Sequence, residues 1–156
     1  MMSRVKKGMV AGFVATLAVS LLEAVNLMFG PWVDPFPGLV ARMIGMPGNL
    51  AVGWIAHFVI GTAILGSLFG ILCPRLPTDT PETKGILFAV AAWVLMMLAI
   101  VLVGDPRTFT GSAGFGVIGW MLATHAVFGI VLGNVYARLV RREKMHPHIV
   151  GGAPAH

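Results

Sequence analysis

The chain has 156 residues, 57% of them hydrophobic and 11% charged, and its mean hydropathy is +0.87. Soluble domains carry about 25% charged residues, so a soluble globular protein is excluded at the outset. The net charge of +5 is spread between and beyond the apolar runs, which argues against a nucleic-acid surface, and a lone cysteine, Cys73, excludes an internal disulfide.

A bilayer span needs roughly 20 mostly apolar residues. In chain order, four segments meet that need: residues 8–29, 50–73, 85–103 and 115–139. None shows the period-two alternation of a strand, and an open sheet leaves its edges unsatisfied in lipid. The expectation is therefore an all-α integral membrane four-helix bundle over residues 1–140, followed by a basic, disordered tail over 141–156. The basic start "MMSRVKKG" resembles a signal-peptide n-region, but apolar character resumes after Glu23 with no small-residue cleavage site, so the first segment reads as a retained helix. Pro74 and Pro77 end the second segment and Asp105-Pro106 ends the third.

Nine of the eleven Lys and Arg residues (Arg4, Lys6, Lys7, Arg75, Lys84, Arg138, Arg141, Arg142, Lys144) fall on one side, and only Arg42 and Arg107 on the other. The positive-inside rule then places both termini in the cytoplasm. Trp32, Trp54 and Trp120 are expected at the outer interface, where indole rings sit well. In the first outer connection, Leu39, Val40, Met43 and Ile44 share one face of a short helix, with Arg42 turned to water, and such a piece lies in the interface plane. The second outer connection, "GDPRTFTGSAGFG", reads as flexible. His146, His148 and His156 read as solvated tail, and the basic cluster before them as a headgroup contact.

The halves resemble each other. Lys7-Gly8 matches Lys84-Gly85, Gly53-Trp54 matches Gly119-Trp120, and His57/Gly61 matches His125/Gly129. Two hairpins of the same orientation would form a parallel repeat. Small residues recur at Gly8, Gly12, Thr16 and Ser20, at Gly66 and Gly70, and at Gly129 and Gly133. Small residues let helices approach closely, either within the bundle or against a second copy or partner.

Ionisable groups within membrane helices are costly and turn to the bundle interior. Three occur: Glu23, His57 and His125, with Asn26 one turn from Glu23. At 1.5 Å per residue they lie about 10–15 Å below the outer ends of their helices. One reading is mutual satisfaction, with a protonated Glu23 bonded to a histidine or a carbonyl. A second is a b-type haem between His57 and His125, with Gly61 and Gly129 making room for the ring. A third is a metal or proton site of Glu23, His57 and His125, with Met96, Met97 and Met121 adding sulfur. No Ser/His/Asp spacing, HExxH or phosphate loop is present, so no enzyme is expected.

The opening "KG", the stretches "MIGMPGN" and "GWIAHFVIG", then "KGILFAVAAWVLMM" and "HAVFGIVLGNVY" resemble small bacterial membrane proteins of domain of unknown function 6789. The likeness runs from about Lys7 to Tyr136, and residues 43–61 are its most specific part. It implies four transmembrane helices in a bacterial inner membrane, and brings no activity or ligand. The expected role is that of a non-enzymatic accessory or assembly component packing through its glycine-rich faces. The alternative is a haem-, metal- or proton-binding protein of electron transfer or transport.

Overall fold

The computed structural model describes residues 2–29, 35–103 and 114–145, which are helical with no strand among them. Helix α1 is Arg4–Met28 and α2 is Phe36–Met43. The second span starts as α3 (Leu50–Val59), passes through a π-helix (Ile60–Gly66), resumes as α4 (Ser67–Leu72) and ends in a 3-10 turn, Cys73–Arg75. Helices α5 (Pro81–Val103) and α6 (Gly114–Met145) complete it. Four helices are thus long and apolar enough to cross a membrane, as the hydropathy predicts.

Local signals set the boundaries. The Ser3 hydroxyl accepts the Lys6 N–H at 3.2 Å to cap α1, and the Asn49 side chain accepts the Val52 N–H at 3.1 Å to cap α3. Such caps satisfy backbone donors that a helix start leaves free. Thr80 does the same for α5 through the Thr83 N–H, with Pro81 at the first helical position, where no N–H is needed. The end of α2 closes as a Schellman motif. Met46 N–H reaches Ala41 O at 2.8 Å and Gly45 N–H reaches Arg42 O at 3.0 Å. Gly45 takes the left-handed φ of +77° that this motif requires.

Helix α1 packs against both the second span and α6, and α6 packs against α5. The central pair is therefore α1 with α6, which bury 39% of their apolar windows against 22% in the other two spans. Phe69 joins all four spans. Fully buried, it meets Phe88 of α5 and Tyr136 of α6 at 5.3 and 5.4 Å between centroids, amid Ala11, Ala15 and Val19 of α1. The Tyr136 hydroxyl donates to Gly70 O at 3.3 Å. Large apolar side chains such as Leu21, Ile55, Leu95 and Leu102 point outward, a surface suited to lipid rather than water.

The glycines make the close contacts. Gly8 lies on the backbone of Gly66 and Gly70, and Gly85 on that of Gly129 and Gly133. The carbonyls of Arg4 and Pro81 cover Gly70 and Gly133 in the same way. Each hairpin thus repeats the other, with offsets of 77 residues in the first helix and 63 in the second. The match of Lys7-Gly8 with Lys84-Gly85 holds. Matching the halves on tryptophan and histidine does not: Gly53 is pressed on the Pro37 carbonyl, whereas Gly119 has open space.

The second span also carries a π-helix that α6 lacks. In an α-helix, residues five apart are turned by about 140°. In a π-helix the i→i+5 bond brings them onto one face. Gly61 and Gly66 are five apart, and both lie against Gly12.

Other expectations are corrected. Helix α6 continues through Arg141, Arg142 and Lys144, so the first residues of the basic tail are helical. The buried face of α2 is Pro37, Leu39 and Ala41, while Met43 and Ile44 are exposed. The helix is seated on α3 through Pro37 and Gly53. The last three residues of the second outer connection, 114–116, are helical in α6, while its residues 104–113, Trp32 and the tail histidines lie outside the described residues.

Candidate functional site

The buried face of α1 runs Gly8, Gly12, Thr16, Val19, Glu23, Asn26, the three- and four-residue spacing of one helix side. Near the α2 end this stripe becomes polar. Glu23 and Asn26 are both fully buried. Glu23 Oε1 accepts from Asn26 Nδ2 at 3.4 Å, a long bond. The Trp120 side chain and the Phe36 backbone N–H stand beside the carboxyl. Neither Glu23 Oε2 nor Trp120 Nε1, both buried, completes a hydrogen bond among the described residues. Buried polar atoms are nearly always paired, so two orphans side by side mark a site.

His57 stands under α2. Its ring lies 4.4 Å from that of Phe36 and 6.0 Å from that of Trp54. The Thr16 backbone stands beside it, and its buried Nε2 has no partner among the described residues. His125 Nδ1 is 2.7 Å from Met121 O. A carbonyl only accepts, so Nδ1 carries the proton in this bond. An electrostatic interaction links the two histidines.

Glu23, His57 and His125 do not converge as metal ligands: among the described residues no group of three His, Cys, Asp or Glu side chains is placed to hold an ion. The methionines are packing. Met121 forms a small core with Leu39 and Val117, and Met96 and Met97 lie against it. The room expected for a porphyrin is also taken. Thr16 fills the space at Gly61, the Gly85 backbone fills that at Gly129, and Phe36 lies on the His57 ring.

Four site residues went unrecognised in the sequence. Phe36 and Thr16 carry no functional signature. Trp93 and Trp120 bring buried indole N–H groups with no partner among the described residues, and both pack on the Leu39, Val117 and Met121 core. Trp120 was expected at the interface, but its polar atom is inside. Trp120 stands five residues before His125, about 140° round the helix, so no spacing in the sequence pairs it with the site.

Four apolar helices around an internal carboxyl define a helical membrane protein with a polar interior. The chain matches the family of unknown function DUF6789 over residues 2–146, and it belongs to that family. No curated protein and no solved structure matches it.

Proposed function

We propose that this is a non-enzymatic, multi-pass protein of the bacterial inner membrane, with both termini cytoplasmic, that binds and releases a proton at Glu23 in the service of transport. The observation that carries this reading is the fully buried Glu23 carboxyl, whose Oε2 completes no hydrogen bond among the described residues although the Trp120 indole stands beside the group. The Asn26 amide, the Trp120 indole and the Phe36 N–H gather at the carboxyl, yet that oxygen stays without a hydrogen bond among the described residues, and ionisable groups inside membrane helices mark sites such as proton relays. Asn26 steadies one oxygen and leaves the other free to exchange. His57, whose buried Nε2 has no partner among the described residues, is the next group able to take a proton.

Assembly through the glycine faces is the less favoured reading, because those faces are already occupied. Gly8, Gly12, Gly61, Gly66, Gly70, Gly129 and Gly133 all lie against backbone or side chains of this same chain. A homo-oligomer or a complex would have to form through other surfaces.

The test is proton flux into sealed liposomes carrying a trapped pH dye. The wild-type protein is expected to dissipate an imposed pH gradient faster than empty liposomes, and Glu23→Gln to return the rate to theirs. Equal rates in the two proteins would contradict the proposal.

A further inference from the structure

The two ends of the bundle are built differently. At the end where the described termini meet, the helices touch backbone to backbone through Gly8, Gly66 and Gly70 and through Gly85, Gly129 and Gly133. Phe69, Phe88 and Tyr136 fill the space between the hairpins. Nothing as large as a water molecule passes between surfaces in such contact. At the other end the polar atoms of Glu23, His57, Trp93 and Trp120 are buried, and α2 is the element set over them. The Phe36 backbone stands at the Glu23 carboxyl and its ring lies on His57. Leu39 packs on Val117 and Met121, and Pro37 is pressed on Gly53.

Helix α2 is lightly held. It has eight residues and no side-chain cap at Pro35. A helix that short has little stability of its own. Beyond its C-terminus, Gly45 and Gly48 take φ of +77° and +83° with nothing near them. Two such glycines give the link freedom to change direction.

We infer that α2 is the cover of the Glu23 site, and that in this arrangement of the helices the site takes up its guest, a proton or a comparably small water-borne species, from the α2 side; release to the opposite side requires a second arrangement of the glycine-packed end. The nature of the guest rests on the proton-binding reading above; the route does not. A lift of α2 removes Phe36 from both Glu23 and His57 in one movement, while the glycine-packed end stays shut.

The experiment is modification of Glu23 by a membrane-impermeant carbodiimide with an amine, in sealed proteoliposomes of sorted orientation, read by mass spectrometry of the peptide that contains Glu23. Gly53→Ala is the main variant, because its methyl group would overlap the Pro37 carbonyl and push α2 off its seat. An overpacking strain of this size corresponds to a shift of about 5–150-fold in the balance of open and closed forms. Phe36→Ala weakens the cover without adding bulk, and keeps the test open should Gly53→Ala fail to fold. Gly119→Ala, whose added methyl meets nothing, is the control. The expected result is faster modification in Gly53→Ala and Phe36→Ala, from the α2 side only, with Gly119→Ala at the wild-type rate. Unchanged rates in both variants, or equal modification from the opposite side, would overturn the inference. One-sided modification without Glu23-dependent proton flux would leave the cover standing and remove the proton reading instead.

Discussion

Gly8 rests on the backbone carbonyl of Gly66, and Gly85 rests on that of Gly129 in the same manner. In lipid, close packing replaces the hydrophobic effect as the force between helices, so these contacts hold the two helices of each hairpin against each other. A methyl group at either position would overlap a carbonyl that belongs to a helix and cannot step aside. Gly8→Ala and Gly85→Ala are each expected to cost about 1–3 kcal/mol, and by similar amounts because the sites are equivalent. Gly119→Ala is expected to be neutral or to gain up to about 1 kcal/mol in helix propensity. Detergent-titrated unfolding in mixed micelles measures all three.

The aromatic plug yields a second expectation. Phe69 is fully buried among all four spans, so Phe69→Ala should lose about 3–5 kcal/mol. Tyr136→Phe keeps the ring and removes only the bond to Gly70 O, a loss of about 0.6 kcal/mol by the average for hydrogen bonds between membrane helices. Unfolding midpoints of the two variants should therefore differ widely.

The start of α1 is tied to the last described turns of α6. Lys7 Nζ stands 2.6 Å from Glu143 Oε2, and the Met2 backbone N–H donates to Glu143 Oε1 at 2.6 Å. Lys7 is buried, so Glu143→Gln leaves it without its carboxylate. This variant should speed protease cleavage near the N-terminus while the four spans stay folded. The exchange Lys7→Glu with Glu143→Lys should restore part of the protection. Limited proteolysis followed by mass spectrometry reads both.

Much of the fold is legible in the sequence because length and apolarity alone define a span. The four spans, the short helix near Leu39 and the burial of Glu23 all follow from that. Helix rotation is less legible. Hydropathy leaves open which way an apolar helix is turned, so three polar residues at similar depth read as one ligand set, although among the described residues they do not form a metal-holding group. The π-helix is another blind spot. It is a tertiary accommodation, and its one trace is the spacing of Gly61, Gly66 and Gly70, five residues and then four. Trp120 misled because an indole near a helix start usually seeks the interface, whereas here α2 folds over it.

A haem protein would announce itself by colour. With Phe36, Thr16 and the Gly85 backbone in the space a porphyrin needs, the purified protein is expected to show no visible band that reduction shifts and His57→Ala removes. Absorption spectra of the oxidised and reduced forms, beside that variant, check it.

The central claim is that Glu23 gains and loses a proton, and infrared difference spectroscopy on a pH step addresses it most directly. The account predicts a protonated-carboxyl C=O band that changes with pH, moves on transfer to deuterium oxide, and is lost in Glu23→Gln. A wild-type difference spectrum identical to that of Glu23→Gln in this region would contradict it.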